Sequence, residues 1–391
     1  MTDKILIIIF WAAAGLVALS YVFYPVLLLF LRWGRKIKKP IYFNDIPLVS
    51  IILPVYNEEK HIESRVKNLL SQTIAANFEI IIVSDASTDR TDEILRNLKN
   101  NTIKIDRLTK RSGKAACINR CVELSSNSIL VFTDANTEFA PDAVEKLIRN
   151  FGGFDVGGVC GYLEITPAGK QKSESTYWKF ERFLKKLEGE ISSVCGANGG
   201  IYAIRKEYFK KLPEHKNILD DFITSLQPLR FGKRLIFEKD AEAIEPASES
   251  LTGEYRRKIR IGNADFNSIK EVAFLLNVFK QGWVTFFFIF HKLLRWFTPV
   301  FLLLLYFSNL FISSFYLFYN ITNILQITFY LIGITGWFFM KKDKYPIVVS
   351  SVTYFCIMNI SILIGMLNWL TRDSKPFWEP IRNNRKNADP L

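Results

Sequence analysis

Between Ile5 and Leu31, near the amino terminus, the chain has no charged side chain. A helix of about 20 apolar residues is long enough to cross the hydrocarbon core of a bilayer. A signal peptide has only about 7–15 apolar residues and then a small-residue cleavage site, which does not fit this run. A cationic cluster follows: Arg32, Arg35, Lys36, Lys38 and Lys39. Since such clusters mark the cytosolic end of a span, we predict a transmembrane helix whose amino terminus lies outside.

Three more uncharged stretches, predicted to be spans, lie near the carboxyl terminus: Phe297–Tyr319, Ile321–Met340 and Tyr345–Leu370. The loop between the last two is predicted to be cytosolic because it contains Lys341, Lys342 and Lys344. The tail is also basic, with Arg372, Lys375, Arg382, Arg385 and Lys386. Its charge favours the cytosol, whereas three spans that start from a cytosolic domain end outside. The side of the tail therefore stays open.

The distribution of apolar and polar segments divides the chain into five parts. Val272–Phe290 contains Lys280 and Gln281 and is predicted to lie at the membrane interface. We predict a transmembrane helix and basic linker at 1–40, a cytosolic domain at 41–262, interfacial helices at 263–296, transmembrane helices at 297–371 and a basic tail at 372–391.

The formal net charge of +13 is compatible with a nucleic-acid binder or with a protein at an anionic membrane surface. Much of the excess lies beside the predicted spans, where Lys and Arg contact lipid head groups. We find no nucleic-acid motif, so we predict the lipid bilayer as a partner and no nucleic acid. The five cysteines have neither zinc-ribbon nor redox spacing, as expected in a reducing cytosol. They are Cys117, Cys121, Cys160, Cys195 and Cys356.

The middle of the chain alternates short apolar runs with helical patterns. Strands are predicted at Val49–Val55, Glu79–Ser84 and Ser128–Thr133, and helices at 61–71, 89–97, 115–124 and 141–150. This alternation predicts an α/β domain with a mostly parallel sheet and helices on both faces. Ligands of such sheets bind beyond the carboxyl ends of the strands, so the residues that follow each strand are the candidates.

Polar and acidic residues follow all three predicted strands, in the segments PVYNEE, SDASTD and TDAN. Asp and Asn at strand ends are commonly turn or helix-capping residues, and for Asp89 capping is at least as good an explanation as ligand contact. For Asp85 and Asp134 taken singly, both explanations stay open. The chain has no Gly-x-Gly-x-x-Gly or Walker-type loop, which leaves dinucleotide binding and ATPase chemistry without support.

In order and spacing, the motifs PVYNEE, VSDASTDRT, RSGKAACIN and FTDANTEF resemble the GT-A domain of family 2 glycosyltransferases. The flanking spans resemble the membrane-embedded branch of that family, which includes synthases of cellulose, chitin, hyaluronan and poly-N-acetylglucosamine. The resemblance covers about 47–262. It implies a Rossmann-like GT-A fold in the cytosolic domain, combined with transmembrane and interfacial amphipathic helices.

The resemblance implies a nucleotide-sugar site made of Pro54, Tyr56, Glu58, Asp85, Lys114, Asp134, Arg257 and Arg260. Asp134 and Asn136 match the Asp-x-Asp motif that holds Mg²⁺ or Mn²⁺ on the diphosphate. Because Mg²⁺ commonly takes only one or two carboxylates, Asp134 is expected to be the main ligand, with Asn136 binding through its carbonyl or a water.

The resemblance also implies an acceptor site at Gly196, Ala197, Asn198 and Trp178. Trp178 belongs to a predicted helix, Ser175–Glu190, which could equally be a surface helix. Asp220 and Asp221 match the family's Glu-Asp motif, in which the second acid is the general base. Helix capping by either aspartate is the alternative.

Arg257 and Arg260 fit the spacing of the family's Gln/Arg-x-x-Arg-Trp motif, where they would contact the departing diphosphate. The alternative is a basic helix that touches lipid phosphates. Ile261 replaces the tryptophan, which weakens the case for processive synthesis.

The resulting hypothesis is an inverting transferase in the inner membrane that moves a sugar from a UDP-sugar to a growing glycan of an exo- or cell-surface polysaccharide. The alternative is a single addition to a lipid-linked acceptor. The intact base and arginines argue against a non-catalytic nucleotide-sugar receptor. A hydrolase is disfavoured because adjacent aspartates rarely flank one glycosidic bond. The oligomeric state is not indicated.

Overall fold

The computed structural model describes residues 2–35, 41–42, 47–74, 78–98, 100–166, 172–246, 251–339, 346–371 and 376. Several basic residues used above to predict orientation lie outside the described residues. They are Lys36, Lys38, Lys39, Lys341, Lys342, Lys344, Arg372, Lys375, Arg382, Arg385 and Lys386.

Within the described residues the soluble domain contains one sheet of eight strands. They are β1 Val49–Val55, β2 Phe78–Ser84, β3 Ile103–Arg107, β4 Ile129–Phe132, β5 Glu138–Phe139, β6 Val156–Thr166, β7 Tyr202–Arg205 and β8 Arg234–Pro246. Their order across the sheet is β3-β2-β1-β4-β7-β6-β8-β5. The first four strands in this order are mutually parallel, β7 is antiparallel to both of its neighbours, β6 and β8 are parallel, and β5 is antiparallel to β8.

The described α-helices are α1 Thr2–Ala18, α2 Tyr24–Arg32, α3 Ile62–Leu70, α4 Thr91–Asn97, α5 Lys114–Leu124, α6 Ala143–Ile148, α7 Lys172–Ile191, α8 Asp220–Leu226, α9 Leu251–Val272, α10 Val278–Gln281, α11 Trp283–Phe287, α12 Leu294–Ile312, α13 Leu317–Phe339 and α14 Ile347–Thr371. Two π-helical segments join neighbours into longer helices: Leu19–Phe23 connects α1 to α2, and Phe288–Leu293 connects α11 to α12.

The parallel half of the sheet is buried on both faces because its strands are almost continuously apolar. All seven residues of β1 are buried. Ile51 belongs to the core cluster that β1 and its neighbouring strands form with α3 and α6, and Ile52 belongs to the cluster on the other face, with α5, α7 and α8. The predicted α/β fold with a mostly parallel sheet is confirmed. Since β1, β2 and β4 run in one direction and pair directly, the loops that follow them meet at one edge.

Four helices are long and apolar enough to cross a membrane: Asp3–Arg32, Trp283–Ile312, Leu317–Phe339 and Val348–Thr371. Three of them agree with the predicted spans, but the second begins at Trp283 and not at Phe297. Its first half therefore belongs to a long continuous helix, whereas the sequence predicted an interfacial segment ending at Phe290. Likewise, α9 runs without a break through the predicted boundary between residues 262 and 263.

The early start of the second long helix has a physical cause in its pairing with α7. The basic side chains His291 and Arg295 of this helix are buried against two glutamates of α7 and do not lie on its outer surface. His291 lies 2.5 Å from Glu188 and 3.0 Å from Glu181, and Arg295 also pairs with Glu181. Tyr24 of the first long helix donates a hydrogen bond to Glu188 at 2.6 Å. Helix α7 thus joins the sheet domain to two apolar helices through buried ion pairs and hydrogen bonds.

Candidate active site

The loops after β1 and β2 are locked together at the carboxyl edge of the sheet. Asn57 and Ala86 have positive φ angles of 55° and 53°, which is uncommon for residues other than glycine and costs free energy. The side-chain oxygen of Asn57 accepts hydrogen bonds from the backbone N–H groups of Thr88 at 2.7 Å and Asp89 at 3.3 Å. The strained backbone is therefore held in place by contacts between the two loops.

Two of the strand-end aspartates have structural partners. Asp89 accepts hydrogen bonds from the backbone N–H of Thr91 at 3.0 Å and from its hydroxyl at 2.6 Å, as the capping alternative predicts. Asp85 is fully buried, and its two oxygens accept from the N–H groups of Ser112 at 2.6 Å and Gly113 at 3.0 Å. Asp85 thus fixes the turn that presents Lys114, while its predicted contact with a nucleotide base stays a prediction.

The predicted nucleotide-binding residues Pro54, Tyr56 and Glu58 lie at the carboxyl end of β1 and just beyond it. Pro54 is buried within β1 and pairs with Val83, so it supports the site from behind. The guanidinium of Arg111 lies 4.1 Å from the centre of the Tyr56 ring. Glu58 lies at the same edge, where its backbone N–H donates to the Thr91 hydroxyl at 2.7 Å. Sequence reasoning missed Arg111, although it belongs to the RSGK motif.

Lys114 connects two acidic segments of the site. Its ammonium lies 2.8 Å from Asp134 Oδ1, after β4, and 3.1 Å from Asp220 Oδ2, at the start of α8. Burial alone would lower the pKa of Lys114, but the charges of Asp134 and Asp220 outweigh it and raise the pKa. Lys114 is therefore a permanent cation that holds the two segments together.

Asp221 lies beside this ion pair in the first turn of α8. Its Oδ1 accepts the N–H of Phe222 at 2.8 Å, and a methyl group added at Gly199 would lie 3.1 Å from Oδ2. The same methyl would lie 3.6 Å from Asp134 Oδ2, so Gly199 keeps the space between the two carboxylates free of side chain. Withdrawal from water, together with the neighbouring Asp220, raises the pKa of Asp221 to about 6. This suits a group that takes up a proton near neutral pH.

The site contains a second acid that sequence reasoning missed. Glu245, near the end of β8, is buried and accepts a hydrogen bond from the Asn136 side-chain nitrogen at 3.2 Å. Burial raises its pKa, with Asp134 adding to the effect and Arg257 opposing it. Its signal in the sequence was weak, because β8 was not predicted and Glu245 is far along the chain from Asn136.

A divalent cation fits the donors gathered here. The Asn136 nitrogen donates to Glu245, and the Asn136 carbonyl oxygen and the Asp134 carboxylate are the side-chain oxygens that would hold the ion. Oxygen donors of this kind suit Mg²⁺ and Mn²⁺. Within the described ranges, no group of three or more Asp, Glu, His and Cys side chains is arranged to hold a metal ion by itself.

The predicted acceptor residues lie next to this cleft, with different roles. Gly196 has a φ of 96°, and a side chain there would collide with the Phe222 ring, so packing is what requires a glycine. The N–H of Ala197 donates to the Ser225 hydroxyl at 2.9 Å.

The side-chain oxygen of Asn198 accepts from Lys185 at 2.5 Å, but its Nδ2 is buried and has no hydrogen-bond partner among the described residues. The same is true of Trp178 Nε1. Both donors are available to a ligand oxygen, as are several other buried polar atoms of the described residues.

Helix α9 closes one side of the cleft with two predicted arginines. Arg257 lies 3.8 Å from Glu245 and 3.6 Å from Glu254. The side chain of Arg260 is exposed, and its backbone oxygen accepts from Asn217 at 2.8 Å. Both arginines are near acids of the cleft: Arg257 pairs with Glu245, and Arg260 is close enough to interact electrostatically with Asp220 and Asp134.

Comparison with known proteins covers this part of the chain. Residues 50–213 match the family model described as Glycosyl transferase family 2. A Dolichol-phosphate mannosyltransferase from Pyrococcus furiosus is 30% identical over 169 residues, which make up 41% of this chain and 46% of that protein. A Poly-beta-1,6-N-acetyl-D-glucosamine synthase from Staphylococcus aureus is 31% identical over 31% of this chain and 29% of the synthase. The chain thus matches less than half of the length of either relative.

One solved structure resembles almost the whole chain. It is described as the mannosyltransferase PcManGT from Pyrobaculum calidifontis in complex with GDP-Man and Mn²⁺. The TM-score is 0.69 at 17% identity, with 95% of this chain and 99% of the other covered. At this identity the likeness concerns the fold, and it confirms the expected GT-A architecture with its apolar helices.

The position of Lys114 predicts how stability depends on pH. We expect Lys114→Met to lower the free energy of unfolding by about 1–3 kcal/mol at pH 8, because it leaves carboxylates without their cation. Since protonation of Asp221 relieves their repulsion, the difference from the wild type should narrow as the pH falls below about 6.

Thermal unfolding in detergent from pH 8 to pH 5 measures this difference in stability. Lys67→Met, which removes an exposed ion pair with Glu63, is the control. A difference that is independent of pH would contradict the assignment.

Proposed function

We propose that this chain transfers a sugar from a nucleotide-sugar donor to a hydroxyl acceptor with inversion at the anomeric carbon, as the match of residues 50–213 to the glycosyl transferase family 2 model suggests. The observation that carries the proposal is the meeting of Lys114, Asp134 and Asp221 around the small space beside Gly199. One carboxylate is paired with a cation where a diphosphate would bind, and the other is tuned to take a proton.

The donor side is built to receive a nucleoside diphosphate. Lys114, Arg257 and Arg260 supply positive charge for the phosphates, and such charge matters most where the leaving group becomes more negative. The Tyr56 ring is buried beneath the Arg111 guanidinium, and this stacked pair is proposed to present its planar cation to the base. The family resemblance favours a UDP-sugar, whereas the similar solved structure is described with GDP-Man, so both bases belong in the test.

The metal in this proposal is Mg²⁺ or Mn²⁺. Asp134 would be its main protein ligand, and Asn136 would offer its carbonyl while Glu245 holds the amide in that orientation. A divalent ion bound there would neutralise charge on the diphosphate as the bond to the sugar breaks. The similar solved structure is described with Mn²⁺, which supports a metal but does not distinguish Mn²⁺ from Mg²⁺ for this chain.

Asp221 is proposed as the general base. An acceptor hydroxyl is a weak nucleophile, and a carboxylate within hydrogen-bond reach can remove its proton as it attacks the anomeric carbon. Asp220 contributes by holding Lys114 and by raising the pKa of Asp221.

The acceptor is proposed to be a glycan that reaches the site from the membrane side. The free donors Asn198 Nδ2 and Trp178 Nε1 suit the oxygen atoms of a sugar or a phosphate. Trp178 lies on α7, the helix that also contacts the apolar helices. This position favours the second candidate too, a single transfer to a lipid-linked acceptor. We propose an inner-membrane protein whose catalytic domain faces the cytosol, where nucleotide sugars are made.

A panel of donors tests the proposed function. We expect the purified protein to release nucleotide from one member of a set of UDP- and GDP-sugars when Mg²⁺ or Mn²⁺ is present. Asp221→Asn should slow this release by about 10²–10⁴-fold, because the base is lost, with little effect on donor binding. Asp142→Asn, at an exposed position, is the control. Release at the wild-type rate by Asp221→Asn would refute the assigned base.

The same assay has an expected pH dependence. A base with a pKa of about 6 is active only when ionised, so kcat/KM should rise with pH through that value and then level off. Asp220→Asn removes the neighbouring charge that raises this pKa and should move the rising limb to lower pH. An unmoved limb would mean that another group sets the profile.

Metal affinity separates the roles of Asp134 and Asn136, the proposed ligands, and of Glu245, which orients Asn136. We expect Asp134→Ala to abolish Mn²⁺ binding in the presence of UDP or GDP. Asn136→Ala and Glu245→Gln should each weaken it by about 10-fold, because one is the lesser ligand and the other orients it. Electron paramagnetic resonance of free Mn²⁺ measures the affinity directly. Glu254→Gln is the matched control, since Glu254 contacts Arg257 but not Asn136. Equal losses from Asp134→Ala and Asn136→Ala would contradict this division.

A further inference from the structure

We propose that α14 does not cross the membrane but lies along the bilayer interface on the side of the catalytic domain, with phospholipid as the partner of its exposed apolar surface. The proposal is independent of the reaction assigned above. It concerns a helix that length and hydropathy alone class with the spans.

The carboxyl end of α14 lies at the catalytic domain. Pro376, five residues beyond Thr371, packs against Gly113, where an added side chain would come within 2.5 Å of the Pro376 carbonyl oxygen. Gly113 immediately precedes Lys114 in the active site. Five extended residues reach about 17 Å at most, whereas the hydrocarbon core is about 30 Å thick. The end of α14 is therefore on the domain side of the membrane.

The amino end of α14 is on the same side. Near the start of the helix, Val349 and Thr353 pack against Gly336, close to the carboxyl end of α13. The neighbouring Trp337 has its ring 5.9 Å from Tyr255, in the first part of α9. That part of α9 contacts the sheet domain through Arg257 and Glu245. Both ends of α14 thus lie beside the catalytic domain.

Side chains along α14 also contact the first long helix, α13 and α9. Phe355 lies 5.7 Å from Tyr21, and Cys356 packs against Gly333. Further along, Trp369 stacks at 5.5 Å on Phe266, which in turn contacts Phe297 at 5.4 Å. Tyr21 and Gly333 belong to the halves of their helices nearer the catalytic domain, whereas Phe297 and Phe329, which lies 5.9 Å from Phe355, are near the middle of theirs.

The opposite ends of those helices form a separate cluster of Phe10, Ile312 and Tyr319. Helix α14 therefore runs across the bundle and not along it.

Close packing fixes α14 to α9. A side chain at Gly365 would lie 2.5 Å from the Asn263 backbone nitrogen, and one at Gly262 would lie 2.9 Å from the Ile362 Cα, so the two backbones touch. Helix α9 is itself tied to the catalytic domain, because its Ser268 accepts the N–H of Leu219 at 2.9 Å. A helix joined in this way to a domain-bound helix stays at the level of the domain.

The outer surface of α14 suits a lipid interface. Val348, Ile360 and Leu370 are 67%, 50% and 62% exposed, and Trp369 is 40% exposed at the end of the helix. Tryptophan is favoured at the level of the head groups, and an apolar face can bury itself in the adjoining acyl region. An interfacial α14 leaves three crossings, which return the chain to the cytosolic side. The charge rule and the number of spans then agree on the position of the tail.

Cysteine accessibility in the full-length chain tests the proposal. A membrane-impermeant maleimide would be applied to three single-cysteine substitutions. They are Leu391→Cys in the tail, Ser314→Cys between α12 and α13, and Glu63→Cys at an exposed position of α3. Spheroplasts and inside-out vesicles would be compared. We expect Leu391→Cys to be labelled in the same preparation as Glu63→Cys, and Ser314→Cys in the other. Labelling of Leu391→Cys together with Ser314→Cys would overturn the proposal.

A depth measurement provides a second readout that does not depend on the tail. A spin label at Ile360→Cys, near the middle of α14, should be relaxed by a polar nickel complex as strongly as an interfacial label. A matched label at Leu303→Cys, in the middle of α12 and also exposed, should be relaxed mainly by oxygen. If both labels showed the same oxygen-dominated relaxation, α14 would be a span.

Discussion

The shared ion pair of Lys114 is the interaction on which the site depends. One ammonium contacts Asp134 and Asp220, which belong to segments far apart in the chain, and Asp221 adds a third carboxylate beside them. Without the cation these acids would repel one another in a half-buried cleft. Asp85 ensures that Lys114 is in place, since it accepts the N–H groups of Ser112 and Gly113. A residue expected to contact the ligand thus has a clear role in positioning the cation.

The catalytic cleft is mechanically connected to the membrane through α7. Glu188 accepts the N–H of Cys195, which immediately precedes the predicted acceptor residues Gly196–Asn198 (here called the acceptor loop). Tyr24 and His291, from two long apolar helices, form hydrogen bonds with the same carboxylate. A shift of these helices would move the acceptor loop relative to Asp221. Because buried charges are costly to leave unpaired, this connection is stiff. Helix α7 thus connects two long apolar helices to the loop that begins at Cys195, next to the predicted acceptor residues.

The sequence predicted three of the four strands in the parallel half of the sheet, because β1, β2 and β4 are apolar runs followed by polar turns, and it named Lys114, Asp134, Asp220 and Asp221, which the fold brings together. It did not predict β3, β5, β6, β7 and β8, and with β8 it missed Glu245, whose partner Asn136 is distant in the chain. The start of the second long helix was wrong because Lys292 and Arg295 read as polar positions, while in the fold they pair with Glu181. Such pairings depend on tertiary contacts that local patterns do not contain.

The stereochemistry of transfer tests the central claim most directly. One base, Asp221, placed beside the diphosphate site supports a single displacement, in which the acceptor attacks the face opposite the leaving group. Proton NMR of the newly formed glycosidic bond, with a donor of known anomeric configuration, reports the outcome. The account predicts inversion, so an α-linked donor gives a β-linked product. A product that retains the donor configuration would contradict it.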